Sequence, residues 1–259
     1  HTFVVLTNAV LAGTGSVGRL SIFGTVAPGL TTTTAVPALV GTLQATQTVF
    51  EAAGRFRVKM TNLSSTAGTG WDLLKVGGGA GEVVVNAAAG SPFVIEPVCG
   101  ARFLDGFNPV VSGLWVVVDS AVLTGCDTTK VVVATNSFLP DLEGGTFQVV
   151  TNGGNIALAF LPDPVLTAWD GGDTASNMWS RGTNWAGDVA PVSASTTGLS
   201  FTTWNRLVNT NDIANPFDAS YIRFSSLAGP FTLCGNQVRL FTGIYNSSTN
   251  SQVVELPLE

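Results

Sequence analysis

Three tryptophans, Trp169, Trp179 and Trp185, lie close together in the sequence among Asp and Asn side chains. Exposed indole rings stack on the apolar faces of sugars, and neighbouring carboxylate and amide groups bind sugar hydroxyls. One interpretation of this segment is therefore a carbohydrate-binding platform. The alternative is that the rings pack a junction between modules, because tryptophan is a large apolar residue that dominates cores and interfaces.

Two nearby segments place oxygen ligands in turn-forming sequence. Asp170 and Asp173 flank two glycines, and Asn209 and Asp212 lie in an Asn-rich stretch. Because Ca²⁺ takes carboxylate and amide oxygens, these four residues are candidate calcium ligands. Neither segment matches the twelve-residue calcium loop or the nonapeptide calcium repeat, and Asp and Asn are common in ordinary turns. Calcium and ordinary turns therefore stay as alternatives, and no other metal or cofactor is predicted.

Residues that usually carry catalysis are scarce. His1 is the sole histidine, and a chain terminus is a poor place for the imidazole of a Ser-His-Asp or Cys-His constellation. We therefore predict no catalytic residue and no cofactor-binding residue. The enzyme alternative is a β-helical polysaccharide lyase or hydrolase. Hydrolysis needs two carboxylates about 5–10 Å apart, and the acidic residues of this chain are dispersed.

The three cysteines match no metal-ligand spacing. Cys99 and Cys126 could pair if they lie on stacked strands, or these two and Cys234 could all be small buried apolar residues. The sequence leaves the disulfide state open.

The composition excludes several classes of protein. The chain has 259 residues, a net charge of −6 and only 11% charged residues, whereas an ordinary soluble domain has roughly 25%. Eleven scattered Lys and Arg side chains form no basic stripe for phosphates, so nucleic acid is not a predicted partner. High hydrophobicity argues against disorder, and no stretch is long and apolar enough for a membrane helix.

The elements that must hold these residues are short strands. β-branched residues and glycine dominate, and helical periodicity is nearly absent. In 55–60 the apolar residues alternate with three cations, which predicts Phe56, Val58 and Met60 on one face and Arg55, Arg57 and Lys59 on the other. We predict an all-β fold: either a solenoid of roughly ten to twelve rungs, with about 20–25 residues per rung, or β-sandwich modules. A Pro-rich break divides the chain into a module at 1–164 and a Trp-rich module at 165–259.

Two sets of segments carry a family resemblance. Ala12-Gly-Thr-Gly-Ser-Val-Gly-Arg-Leu-Ser-Ile-Phe-Gly-Thr-Val-Ala-Pro-Gly29 and Gly145-Thr-Phe-Gln-Val-Val150 resemble the closing part of secreted bacterial proteins with autotransporter-associated β-strand repeats. Trp169-Asp-Gly-Gly-Asp173 and Ala228-Gly-Pro-Phe-Thr-Leu-Cys-Gly-Asn236 resemble their opening part. The resemblance extends to autotransporter passengers and to proteins with PEP-type sorting tails. It implies an irregular right-handed parallel β-helix, an extracellular or cell-surface location, and no enzymatic activity.

The two parts stand in the reverse of the family order. We therefore expect the end of one unit to abut the start of a neighbour, either within a longer repetitive chain or between subunits stacked head to tail. Unpaired edge strands template such pairing. The predicted function is a structural or adhesive β protein that forms part of a filament, sheath or long surface protein, with itself as partner and a surface polysaccharide as a further one. The predicted assembly residues are Thr2, Phe3, Val4, Val5, Leu6, Val253, Val254, Leu256 and Leu258.

Overall fold

The computed structural model describes residues 1–29, 39–77, 80–163 and 166–259. Strands account for about 49% of the chain and helix for about 1%, so the predicted all-β class is confirmed. The chain divides into two compact units. The first contains His1–Pro140 and Thr146–Leu161, and the second contains Asp141–Gly145 and Pro162–Glu259. The division near Leu161 lies close to the sequence-based boundary, whose residues 164 and 165 fall outside the described ranges.

The first unit contains fifteen described strands: β1 (Thr2–Val5), β2 (Val10–Gly13), β3 (Arg19–Ile22), β4 (Thr25–Pro28), β5 (Thr42–Ala45), β6 (Gln47–Phe50), β7 (Arg55–Lys59), β8 (Leu73–Val76), β9 (Glu82–Val85), β10 (Phe93–Val98), β11 (Gly113–Ser120), β12 (Val122–Thr124), β13 (Val131–Val133), β14 (Thr146–Asn152) and β15 (Asn155–Leu161).

These strands stack into three sheets, as in a parallel β-helix. The first sheet has the order β1-β3-β6-β9-β12, and the second has the order β2-β4-β7-β10-β13. The third runs β5-β8-β11 in parallel and ends with β15 and β14, which pair antiparallel. Parallel ladders between strands far apart in sequence are the mark of a solenoid, and a β-sandwich would be built from antiparallel ones. The β-helix prediction is confirmed at this level.

The rungs are irregular, as predicted, but their lengths and number differ from the prediction. Along the first sheet the aligned residues are Thr2, Arg19, Gln47, Glu82 and Val122, so the rung lengthens from 17 residues to 40. The prediction of ten to twelve rungs with 20–25 residues each is therefore wrong. Side chains that face the core must align from rung to rung, but the loops that join the strands are free to vary in length.

The core of the first unit is a set of aligned apolar columns. Ile22, Phe50 and Val85 lie opposite one another on successive strands and are buried. The Phe50 ring also stacks on Phe93, with ring centroids 4.0 Å apart. Side chains alternate between the two faces of a strand. A strand therefore places every second residue in such a column.

The alternation in β7 is confirmed for the apolar residues and wrong for one cation. Phe56, Val58 and Met60 are buried, but so is Lys59, which was predicted on the outer face. Its Nζ lies 2.7 Å from Oδ2 of Asp72 and also donates to the carbonyl of Pro28. The backbone N–H of Gly41 donates to Oδ1 of Asp72 at 2.9 Å. The ion pair and these hydrogen bonds compensate the burial of both charges.

The second unit contains seven described strands and one 3₁₀ turn: β16 (Leu166–Trp169), η1 (Gly182–Asn184), β17 (Gly198–Phe201), β18 (Val208–Asn211), β19 (Phe217–Phe224), β20 (Thr232–Gly235), β21 (Val238–Asn246) and β22 (Val253–Val254). They form two parallel sheets with the orders β16-β17-β19-β21 and β18-β20-β22. Its buried apolar cluster is rich in aromatic residues and includes Trp169, Trp179, Trp185, Phe201, Phe217, Phe224 and Phe231.

Candidate functional site

The tryptophan cluster lies in the core of the second unit. Trp169, Trp179 and Trp185 are each 0% exposed. Trp185 packs edge-to-face on the other two rings, at centroid distances of 5.1 and 5.9 Å. The indole N–H of Trp179 donates to Oδ1 of Asn209 at 2.7 Å, and that of Trp185 donates to the carbonyl of Trp179 at 2.8 Å. No ring face is available to a sugar, so the predicted carbohydrate platform at these three residues is wrong.

The candidate calcium ligands are engaged in local hydrogen bonds. Oδ1 of Asp173 accepts from the backbone N–H groups of Ala175 and Ser176, and Oδ2 accepts from Thr183 and Arg181. These donors, led by the N–H of Ala175, lower the pKa of the Asp173 carboxyl well below its usual range. Its oxygens therefore serve to fix the turn.

The other three candidate ligands also accept hydrogen bonds from protein groups. Asp170 accepts from the N–H of Gly172 at 3.0 Å, and both carboxylate oxygens of Asp212 accept from Ser180. Asn209 holds the Trp179 indole. Across the described ranges, no group of three or more His, Cys, Asp or Glu side chains is placed to hold a metal. Asp170 and Asp173 accept hydrogen bonds within their own turns, whereas Asn209 and Asp212 bind partners that are 30 and 32 residues away in the chain.

The three cysteine thiols are free in this structure. Cys99 is buried, and Cys126 and Cys234 are half-buried. The possible pair of Cys99 with Cys126 is therefore not formed. The alternative of three buried apolar residues holds in full only for Cys99.

The first strand of the first unit carries a residue that aligns with buried core residues but is itself exposed. Phe3 on β1 aligns with Leu20, Thr48 and Val83 on the next three strands of its sheet. Those three residues are 0% exposed, whereas Phe3 is 48% exposed. Phe3 thus lies at a core position with no described rung beyond it.

Among the described residues, the same edge shows no charge, proline or bulge that would block strand addition. β1 and β2 each have a described neighbour on one side only, and 2–18 carries no charged residue. Edge strands are normally protected by charges, prolines, bulges or a covering segment. On the third sheet such a cover exists, because 15–18 lies along β5 and its Val17 N–H donates to the carbonyl of Gln44 at 2.9 Å. The first two sheets therefore present the open edge, which we call the β1/β2 edge.

A second open edge lies in the second unit. Ile244 on β21 aligns with Ile222 and Leu199, which are both 0% exposed, yet Ile244 is 38% exposed. On the neighbouring sheet, Val254 aligns with buried Leu233 and is itself only half-buried. We call this the β21/β22 edge.

Part of this edge is covered by the chain itself. Leu258 bridges Val238 in parallel, and the N–H of Leu240 donates to the carbonyl of Glu259 at 2.9 Å. The segment after that contact, 241–246, has a described strand neighbour on one side only. The open part of β21 is therefore its second half, which includes Ile244.

The nine predicted assembly residues divide between edge and core. Seven have side chains that are exposed or half-buried at the two edges, and the side chains of the other two are buried, so only the backbone of these two could take part in strand pairing. Val5 and Leu256 are 2% and 4% exposed because each packs beneath its own edge strand. The seven accessible residues are Thr2, Phe3, Val4, Leu6, Val253, Val254 and Leu258.

One buried carboxylate of the second unit was not predicted from the sequence. Glu143 lies in the segment Asp141–Gly145, which we call the strap, and it is 0% exposed. Its Oε2 accepts from the Ser200 hydroxyl at 2.9 Å and lies 3.7 Å from Nε of Arg223. Burial, and then the nearby charge of Asp141, raise the pKa of Glu143 to about 7. Its partners lie 57 or more residues away in the chain, so no local pattern pointed to it.

No family model, no curated protein and no solved structure matches this chain. Among the described residues, no helix has the length and apolarity needed to cross a bilayer. Any functional conclusion therefore depends on the geometry of the two open edges and of the contacts around Glu143.

Proposed function

We propose that the protein is a non-enzymatic, extracellular structural or adhesive β protein whose copies associate head to tail. The β21/β22 edge of one copy pairs with the β1/β2 edge of the next, so that strands continue in parallel across the contact. One observation carries the proposal: core-facing residues on both edges, Phe3 and Ile244, are exposed where their aligned neighbours are fully buried.

The physical gain comes from two sources. Strand addition satisfies backbone N–H and C=O groups along each edge, at about 0.5–1.5 kcal/mol per hydrogen bond. It also buries the exposed parts of Phe3 and Ile244 and of their apolar neighbours, at roughly 25 cal/mol per Å² of apolar surface. Low charge favours close approach, because few like charges have to be brought together. A surface polysaccharide stays a predicted second partner, with no site among the three buried tryptophans.

Sedimentation velocity of the Phe3→Lys variant tests the proposal. We expect the wild-type chain to form concentration-dependent oligomers or fibres, and Phe3→Lys to stay monomeric, since an inward-pointing charge at an edge blocks strand addition. Val192→Lys is the matched control, because Val192 is 72% exposed and lies outside every strand. A wild-type chain that is monomeric at all concentrations, or a Phe3→Lys variant that associates like the control, would contradict the proposal.

A further inference from the structure

The strap connects three elements of the second unit. Its Glu143 contacts Ser200 of β17 and Arg223 of β19. Its Asp141 accepts from Nη1 of Arg223 at 3.4 Å and from the hydroxyl of Ser247 at 2.9 Å. Ser247 follows directly after β21. The strap is therefore bound both to the inner strands of the sheet and to the end of its edge strand.

Arg223 is the one cation that these contacts share. Its guanidinium lies close to the rings of both Tyr221 and Tyr245, at 5.6 and 5.8 Å from their centroids. Tyr245 belongs to the open half of β21 and aligns with Arg223 in the sheet. Anything that shifts Arg223 or the strap therefore acts directly on the edge strand.

We propose that the strap is a proton-sensitive latch that holds the end of β21 in place while Glu143 is protonated and loosens it when Glu143 ionises. Control of end-to-end association by this latch rests on the proposed function, because β21 forms part of the β21/β22 edge.

The charged groups that act on Glu143 are Asp141, which opposes its ionisation, and Arg223, which favours it. Asp141 from the strap and Asp163 face the same region. A Cβ at Gly144 would lie 2.8 Å from Oδ2 of Asp163. Burial, then the nearby charge of Asp163 and to a smaller extent that of Glu143, raise the pKa of Tyr221, while Arg223 lowers it. The described ion pairs join Arg223 to both Asp141 and Glu143.

The buried oxygens of Glu143 fit the neutral form better than the charged one. Oε2 has the Ser200 hydroxyl as donor, whereas Oε1 is buried with no hydrogen-bond partner among the described groups. A buried carboxylate oxygen without a donor is costly, and protonation removes most of that cost. Glu143 also has a φ of 52°, which is uncommon for a residue with a side chain. The strap is therefore held by these contacts in a conformation that it does not favour on its own.

The pH dependence has a defined sign. The pKa of Glu143 is raised from 4.5 in the free chain to about 7 in the folded unit. The folded form then binds more protons between these values, so its stability falls as pH rises through this window. We expect a docked strap at pH 5.5 and a loosened strap at pH 8.5.

Hydrogen exchange with mass spectrometry tests the latch, using peptides that cover 141–145 and 238–247 and rates corrected for intrinsic pH dependence. In the wild-type chain we expect protection of both segments to fall roughly tenfold between pH 5.5 and 8.5. Glu143→Gln keeps the size and removes the ionisation, so its protection should be the same at both pH values. Glu82→Gln in the first unit is the matched control and should behave like the wild-type chain.

Two outcomes would overturn the latch: equal wild-type protection at both pH values, or a Glu143→Gln variant that keeps the pH dependence. A second variant, Ser247→Ala, removes the contact between strap and edge strand without changing the titrating group. It should speed exchange of 238–247 at both pH values, and unchanged exchange there would also contradict the latch.

The same samples separate the latch from the proposed function. Sedimentation at the two pH values should show stronger association at pH 5.5 than at pH 8.5. If exchange responds to pH and association does not, the latch stands and its control of assembly is wrong. If no association occurs at any pH, the proposed function fails while the exchange result still decides the latch.

Discussion

The two ends of the first unit differ in the direction of their strands and in how well their core residues are covered. At the later rungs the chain reverses, and β14 and β15 pair antiparallel at the end of the third sheet. An aromatic cluster fills this region, in which Phe147 contacts Phe138 and Phe160 at centroid distances of 5.1 and 5.2 Å and all three rings are buried. At the β1/β2 edge, Phe3 is half exposed and the strands run parallel to their neighbours.

The difference shows that sheet direction and side-chain size together decide whether a rung can accept another. A reversed hairpin breaks the parallel register, and large rings cover the core that a further rung would have used. The β1/β2 edge has neither feature. The comparison therefore identifies the hairpin and its aromatic rings as a terminator of the third sheet, and the β1/β2 edge as a place where β-structure can continue.

The largest expected effect is a difference in the loss of unfolding free energy between substitutions at the two ends of the first unit. Phe160→Ala removes a fully buried ring that packs edge-to-face on Phe107 at 5.0 Å, and it should cost about 3–5 kcal/mol of unfolding free energy. Phe3→Ala, measured at concentrations where the chain is monomeric, should cost less than about 1 kcal/mol because the ring is already half exposed. Urea titration gives both values. Equal losses would show that the β1/β2 edge is as well packed as the aromatic end.

An intermediate effect is expected when two edge-strand valines of nearly equal exposure are substituted. Val253 on β22 and Val122 on β12 are 46% and 47% exposed. Val253→Lys should weaken self-association about tenfold, a loss of roughly 1.4 kcal/mol, because a charge on an edge strand disfavours pairing with a further strand. Val122→Lys should leave the dissociation constant unchanged, since β12 lies among the later rungs of the first unit. Sedimentation equilibrium measures the two constants, and a Val122→Lys effect as large as that of Val253→Lys would remove the distinction between the edges.

The smallest expected effect concerns salt. Residues 2–18 of the β1/β2 edge carry no charge, so screening has little to act on there. Raising NaCl from 50 to 500 mM should change the dissociation constant less than about twofold. A steep weakening with salt would point to an ionic contact between copies and against an interface built from backbone pairing and apolar burial.

Sequence patterns predicted local features well and distant ones poorly. The alternation in β7 correctly placed Phe56, Val58 and Met60 in the core, because that pattern is set by neighbours along one strand. The same pattern misplaced Lys59, whose partner Asp72 is supplied by the segment before β8. Alternation reports which face a residue occupies and contains no information about a counter-ion that arrives from another rung.

The residues in the proposed sites show the same contrast between local features, which the sequence predicted, and distant contacts, which it did not. Phe3 and Val253 were identifiable as apolar residues of edge strands, since both lie in short uncharged runs. The carbohydrate-binding alternative for the three tryptophans was wrong because the sequence shows their number and spacing but not whether other residues cover their rings. Glu143 was missed because Ser200 and Arg223 reach it only after the second unit has folded. The rung length could not be predicted because the loops between strands vary in length. No fixed period relates Arg19 to Gln47, as it would in a regular repeat.

The lengthening of the rungs from 17 to 40 residues has a consequence for the order of folding. The entropy lost when a loop closes grows with the logarithm of its length, so the last rung costs about 0.8 kcal/mol more to close than the first. Contacts between nearby residues also form faster than contacts between distant ones. The rungs nearest the start of the chain are therefore expected to form first and to act as a template for the later ones. The β1/β2 edge is then expected to form before the later rungs of the first unit.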